Sequence, residues 1–321
     1  MKAIVATDYG PPESYTLADI PAPRPGPGQL QVRIAAASIN PADVRIPSGE
    51  FREQTPLTFP HVPGNDFAGT VSEIGPGVEG YRVGDDIFGM AVPRALRDLV
   101  GGTRPSLSTG ALAEYAVVEA DTPFLTHRPA GLNVDDAAAL PTVGLTARAV
   151  MATAKIRPGE TVLVVGATGG VGTAVLSLLA ADAKAIATAK PADAPLLREL
   201  GAAETIGYDP SEYPSAVDAA FNLTLPGDQL TGIAATLRPG GRLVSITFPM
   251  TRPEWLGRDD IDLHVVFDMD GKLGGMREVA ADAEGGRLRA VIGRRYPFDQ
   301  ARDALVDFAR RHTTGKLVVR F

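Results

Sequence analysis

Thr161-Val-Leu-Val-Val165 runs directly into Gly166-Ala-Thr-Gly169-Gly-Val-Gly172, and that into Thr173-Ala-Val-Leu-Ser-Leu-Leu-Ala180. A short β-branched aliphatic run, a glycine-rich turn and an alanine- and leucine-rich run read as strand, turn and helix. In that context Ala167, Gly169 and Gly172 match the dinucleotide fingerprint. The small residue permits the tight turn, Gly169 lets backbone approach a pyrophosphate, and Gly172 lets the helix pack against the strand. The helix N-terminus adds unpaired N–H groups and the positive end of a dipole. Thr168, Gly169, Gly170, Val171 and Gly172 are therefore candidate cofactor contacts.

The next strand, Lys184-Ala-Ile-Ala-Thr188, should deliver the residue that meets the adenosine ribose roughly 20 residues after the first glycine. An NAD site wants a carboxylate there. The strand end Thr188-Ala189-Lys190 has none, and its first charge is a lysine. A cation suits a 2′-phosphate, so NADPH is the expected cofactor; the other reading of Lys190 is a solvated loop lysine.

Outward from this unit the texture differs on the two sides. From about residue 135, helical stretches alternate with aliphatic runs, among them Ala219-Ala-Phe221 and Arg242-Leu-Val-Ser-Ile-Thr247. That alternation predicts a doubly wound parallel sheet. The first 120 residues carry 14 of the 27 prolines, between runs such as Gln31–Ala35, Phe67–Ile74 and Ala113–Val118. Alternating strands with Pro/Gly punctuation predict an antiparallel, barrel-like β domain. The segment from Met90 to Gly110 is long for a connector and reads equally as a pocket-side loop. The end of the chain returns to strand, helix, strand and is expected to rejoin the first domain.

Composition removes whole classes of chemistry. With no cysteine, thiolate nucleophiles, disulfides, iron–sulfur clusters and cysteine-ligated zinc are excluded. A net charge of −7 leaves no basic surplus for nucleic acid. No run approaches the ~18–20 apolar residues of a membrane span, and Met1–Asp8 reads as a strand rather than a signal peptide. The expected location is the cytoplasm. The four histidines, 61, 127, 264 and 312, are scattered and predict no metal site.

Near-continuous matches identify the chain as similar to zinc-free members of the medium-chain dehydrogenase/reductase superfamily, in the quinone oxidoreductase branch. They are Ala37-Ser-Ile-Asn-Pro-Ala-Asp43, Pro63-Gly-Asn-Asp-Phe-Ala-Gly69, Val83-Gly-Asp-Asp86, Leu140-Pro-Thr-Val-Gly-Leu-Thr-Ala147, the glycine turn, Leu237-Arg-Pro-Gly-Gly-Arg242 and Thr314-Gly-Lys316. The resemblance implies an α/β chain in two domains. A GroES-like β-barrel catalytic domain would span 1–120 and 288–321, and a Rossmann NADPH-binding domain 121–287, with the active site in the cleft. Zinc relatives place a cysteine ligand at Asn40 and Gly-His-Glu at Gly64-Asn65-Asp66; neither ligand is present. Losing the Lewis acid disfavours alcohol oxidation. It leaves hydride transfer from NADPH to a quinone or other conjugated carbonyl, whose negative charge spreads without metal help.

By the same resemblance Asn40 lies by the nicotinamide and the substrate, where its amide can donate. Asp43 reads either as catalytic or as a buried acceptor or cap. The relatives carry tyrosines where this chain has Arg45 and Phe51, so these two, with Asn65, are expected to line the substrate pocket; Arg45 either meets a carboxylate or lies on the surface. Further implied cofactor contacts are Thr146, Thr188, Ala189, Tyr208, Asn222, Ser245, Thr247, Val266, Phe267, Arg311 and Lys316, with Tyr208 equally readable as a core-edge tyrosine. A homodimer is implied, and Leu263–Phe267 is a candidate edge for it. Two other functions remain: an enoyl or alkenal double-bond reductase of the same family, and a non-catalytic NADPH-binding redox sensor. The short-chain dehydrogenase class needs Tyr-x-x-x-Lys, which is absent.

Overall fold

The computed structural model describes residues 1–91, 110–179, 183–268 and 271–321, and the statements below concern those residues. Nearly all of the expected pocket-side loop, 92–109, lies outside them. In chain order come β1 (Lys2–Val5), β2 (Thr16–Asp19), β3 (Gln29–Ser38), α1 (Pro41–Arg45), β4 (Asp66–Ile74), β5 (Asp86–Met90), β6 (Tyr115–Glu119), β7 (Leu125–His127), α2 (Val134–Ala139) and α3 (Pro141–Ala154). Then follow β8 (Thr161–Val165), α4 (Gly170–Leu179), β9 (Lys184–Thr188), α5 (Ala194–Glu199), β10 (Ala202–Ile206), β11 (Val217–Asn222), α6 (Thr231–Thr236), β12 (Leu237–Ser245) and β13 (Asp262–Val265). The chain closes with α7 (Met276–Glu284), β14 (Ile292–Pro297), α8 (Ala301–Arg310) and β15 (Lys316–Arg320).

Two units result. Unit 1 holds Met1–Thr142, Met269–Gly285 and Ile292–Phe321; unit 2 holds Val143–Asp268 and Gly286–Val291. The first boundary therefore falls after 142 and not at 120. β7 pairs with β5 through Ile87 opposite His127, and buried Asp135 on α2 binds Arg295 and Arg320 of β14 and β15. α7 also belongs to unit 1 rather than to the nucleotide-binding domain: the N–H of Met276 bonds the carbonyl of Pro123 at 2.8 Å.

Unit 2 is a six-stranded parallel sheet in the order β10-β9-β8-β11-β12-β13. This is the doubly wound order in which a ligand sits at the carboxyl ends where strand order reverses. The reversal lies between β8 and β11, and the glycine turn leaves β8 there. Val162–Val165 are all buried, as continuous aliphatic runs are in a sheet covered on both faces. Leu163, Ile186, Leu230, Ile233 and Leu243 share one core cluster.

Unit 1 has a seven-stranded sheet, β14-β15-β3-β4-β5-β7 with β6 paired to β3, and a separate β1-β2 pair. The C-terminal strand rejoins the first domain as expected. β15 runs antiparallel to β3, with Val318 opposite Ser38 and Val319 opposite Ala37. It runs parallel to β14 on its other side.

Candidate functional site: a buried Asn–Lys–Asp cluster and a glycine turn

The registers of β3 with β15 and β4 decide which polar side chains meet in unit 1. With Val318 opposite Ser38 and the N–H of Ile39 bonded to the carbonyl of Leu317 at 3.0 Å, the antiparallel ladder carries Lys316 to Asn40. Ser38 stands opposite Asp66 of β4. Three polar side chains from distant parts of the sequence thus converge. Asn40, Asp66 and Lys316 are 3%, 0% and 6% exposed.

Lys316 Nζ donates to the carbonyl of Ile39 at 2.8 Å, to Asn40 Oδ1 at 2.5 Å and to Asp66 Oδ2 at 3.5 Å. Three partners match its three hydrogens. Burial lowers its pKa from the ordinary lysine value, against the opposing pull of the Asp66 and Asp43 charges. Asp66 also accepts from the Thr142 hydroxyl at 2.6 Å, the Thr142 N–H at 3.2 Å and Ser38 Oγ at 3.3 Å.

Asp43, on the first turn of α1, accepts from the N–H of Asn40 at 2.7 Å and from that of Gly64 at 2.9 Å. It is a clip between two loops, which favours the structural member of its two readings. Burial pushes its carboxyl up to about 7, against the two N–H donors, with Asp66 adding to the rise and Lys316 reducing it.

Asn40 begins α1 but does not spend its side chain on the cap. Its Oδ1 faces Lys316, while Nδ2 is buried without a hydrogen-bond partner among the described residues. A buried donor left unmet costs about 1–3 kcal/mol, and such exceptions are expected at functional sites. Asn65 is half-buried, and its backbone carbonyl accepts from the N–H of Ala91.

Arg45 does not wait for a substrate carboxylate. Its Nε and Nη2 both donate to the Glu50 carboxylate, Nε at 2.8 Å, and its guanidinium lies 5.0 Å above the ring of Phe51. The sequence reading missed Glu50. An acid five residues on, across a Ser-Gly turn, was the available signal.

Unit 2 provides the cofactor elements. The positive φ that makes the turn, +91°, falls at Gly166, one residue before the Ala167 assigned that role from sequence. A Cβ at Gly172 would lie 2.3 Å from the Gly166 carbonyl oxygen and 2.6 Å from Ala167, so its glycine is required by the turn itself. A Cβ at Gly169 would meet only the Gly166 carbonyl oxygen, at 3.5 Å. The backbone is open there, above the N-terminus of the ten-residue α4, and these residues fit a pyrophosphate.

Several of the expected contacts make internal bonds. Thr188 is fully buried; its hydroxyl accepts from the N–H of Gly166 at 3.1 Å and faces the carbonyl of Val164. Ala189 is buried and bonds Ile206. Asn222 and Ser245 are fully buried. The Asn222 amide donates to Leu225 O, Ser245 Oγ and Thr247 Oγ1 at 2.9, 3.1 and 2.9 Å and accepts from the N–H groups of Thr224 and Leu225. Arg311 is paired with Asp307 one turn earlier on the surface of α8, and Lys316 is committed to Asn40. Thr168 is 2% exposed, and half-buried Thr146 lies on α3. Lys190 is exposed just past β9 and forms no ion pair among the described residues. Tyr208 is 41% exposed beyond β10. Val266 bonds the Ser245 carbonyl, and Phe267, 53% exposed, meets Phe248 edge-on.

Residues 26–129 match the alcohol dehydrogenase GroES-like domain and residues 200–319 match the zinc-binding dehydrogenase domain. The second description implies zinc, and the residues present do not fit it. Asn40 Oδ1 already faces an ammonium. His127 is stacked on Tyr81 and bonded to Asp85. Among the described residues no three His, Cys, Asp or Glu side chains group as metal ligands do. The chain is 30% identical to the 2-methylene-furan-3-one reductase of Solanum lycopersicum and 29% to the NADPH-dependent alkenal/one oxidoreductase of Arabidopsis thaliana, in each case over 99% of this chain and 79% of the other. The quinone oxidoreductase of Coxiella burnetii superposes with a TM-score of 0.85 at 26% identity, covering 100% of this chain and 99% of that one. Fold order, glycine turn and end-to-end similarity agree, and the chain belongs to the medium-chain dehydrogenase/reductase family, in its quinone oxidoreductase-like branch, as an NAD(P)-dependent oxidoreductase.

Proposed function

We propose that the protein reduces conjugated carbonyl acceptors, quinones or enones, with NADPH as the hydride donor. The observation that carries this reading is the unpartnered Nδ2 of buried Asn40. When hydride reaches a conjugated acceptor, negative charge develops on its oxygen, and a fixed N–H donor in a water-poor setting stabilises that charge. Nδ2 plays this part, and water supplies the proton that completes the reduction. Asn65 and the Arg45–Phe51 pair are the remaining candidate contacts for the acceptor. Bound NADPH supplies the hydride; Gly169, Gly170, Val171 and Gly172 hold its pyrophosphate, and Val266 and Phe267 its nicotinamide. Lys190 and Tyr208 take the 2′-phosphate, because the end of β9 offers a cation and no carboxylate. The relatives are named for alkenal, furanone and quinone acceptors, which supports the conjugated carbonyl as the common feature.

Loss of NADPH absorbance with a 1,2- or 1,4-quinone and with an enone as separate acceptors, and NADH in parallel, tests this. Turnover with NADPH supports the reading and ranks the acceptors. Binding without oxidation by either acceptor overturns it in favour of a redox sensor. A homodimer is proposed through the outer strand β13, whose far edge pairs with nothing among the described residues; light scattering on the purified protein reads its mass directly. Among the described residues no helix is long and apolar enough to cross a membrane.

A further inference from the structure

A carboxamide has two ends of similar shape and opposite hydrogen-bonding sign, so an asparagine alone does not determine whether it offers a donor or an acceptor. At Asn40 that choice is made by its neighbour. Lys316 presents only donors, its ammonium lies 2.5 Å from Oδ1, and Asp66 and the Ile39 carbonyl hold it there. Turning the amide over would set NH₂ against NH₃⁺ and leave one hydrogen of the ammonium without its acceptor.

We infer that Lys316 is a positioning residue for the reduction: it locks the Asn40 carboxamide with its oxygen inward, so that Nδ2 is the end offered to the acceptor. The inference rests on the proposed role of Asn40 and extends it to a residue that meets neither acceptor nor cofactor. Asp66 is the support of that support, with Thr142 and Ser38 fixing its carboxylate. The assembly follows from sheet register: β15 must pair with β3, and β3 with β4, before the amide has a defined sign. A lysine at this place would otherwise be an expensive choice, since burial disfavours its charge.

Lys316→Met keeps the length and apolar stem and removes the donors. The expected result is a fall in kcat of up to about 100-fold, as for a reacting group held slightly out of place, with the KM for NADPH unchanged. In an Asn40→Ala background the same substitution should cost nothing further, because its effect passes through the amide. Equal losses in both backgrounds, or a raised NADPH KM at constant kcat, would overturn the inference.

Lys316→Arg, a cation that still presents only donors, should recover part of the loss; if it is no better than Lys316→Met, the inference fails. An independent readout needs no turnover. In a ¹H–¹⁵N spectrum of the full chain, the side-chain amide pair that vanishes in Asn40→Ala should shift in Lys316→Met and in Lys316→Arg, whereas an unmoved pair refutes the lock. If neither the quinone nor the enone supports NADPH oxidation by the parent, the functional reading fails while the amide spectrum still decides the lock. Should Lys316→Met not fold, the arginine variant carries both readouts.

Discussion

Asn222 in unit 2 and Asn40 in unit 1 are both buried asparagines at the carboxyl ends of strands, and they handle their amides in opposite ways. Asn222 shares its two amide hydrogens among three acceptors on Leu225, Ser245 and Thr247 and takes the N–H groups of Thr224 and Leu225. It knits β11 to the end of β12, and nothing of it is left to offer a ligand. Asn40 has one end held by a lysine and the other unpaired. The fold tolerates that deficit at a cost of about 1–3 kcal/mol. Burial and residue type are alike in the two cases; only the account of donors and acceptors separates them.

The largest effect should come from deleting the unpaired donor. Asn40→Ala is expected to lower kcat by about 10²–10³, the usual cost of one oxyanion donor, while the unfolding free energy falls by no more than about 1–3 kcal/mol, because Lys316 loses one acceptor as the unmet Nδ2 leaves with the side chain. Steady-state kinetics and urea unfolding on one preparation read both. A loss of stability with activity intact would put Asn40 in the same class as Asn222.

Asn222→Ala should do the reverse. It strips the acceptor from the N–H groups of Thr224 and Leu225 and is expected to cost about 3 kcal/mol of stability. Activity per folded molecule should stay within a few-fold under conditions where the variant is folded. A selective loss of NADPH affinity in a fully folded variant would restore the direct cofactor contact that the resemblance implied.

The architecture was legible in advance because it depends on periodicity and on glycine placement. The β8–turn–α4 stretch, the return of β15 to the first domain and the doubly wound sheet could all be read from local pattern. The unit boundary was not, since short β7 and helix α2 carry no sign of which sheet they join; that is decided by pairing with β5 and by Asp135 meeting two arginines of the last strands. The site was legible in its residue types and less so in its roles. Asn222, Ser245, Thr188 and Lys316 sit at positions that motif matching marks as contacts, yet their bonds are internal. Asp66 was seen only as the residue in a missing ligand position. Its partnership with Lys316 spans 250 residues and exists only once two strand registers are set, which no local pattern encodes.

Asp43 sharpens the contrast through pH. Its carboxyl, pushed from 3.8 to about 7 by burial, binds a proton in the folded state that the unfolded chain has released. Between pH 5 and 7 folding therefore favours the protonated form, and stability from this group falls as pH rises, levelling off above about 7. In Asp43→Asn that term is absent. The stability gap between parent and variant should narrow by about 2–3 kcal/mol from pH 5 to pH 8, measured by urea unfolding at each pH. A gap that is constant or widens would show that the two backbone N–H donors keep Asp43 ionised throughout.

The smallest effect concerns the other lysine. Lys316 is buried with all three hydrogens bonded, whereas Lys190 is exposed beyond β9 and forms no ion pair among the described residues. A buried lysine so committed acts through its partner; an exposed one is available to a ligand. Lys190→Ala should raise the KM for NADPH about tenfold, the equivalent of one charge-assisted contact near 1.5 kcal/mol. The KM for NADH, which lacks the 2′-phosphate, and the kcat with either cofactor should not move. The effect should shrink as ionic strength rises, because an exposed contact is screened. Equal changes for the two cofactors would locate Lys190 away from the 2′-phosphate and leave Tyr208, at the end of the neighbouring strand, as the residue to change next.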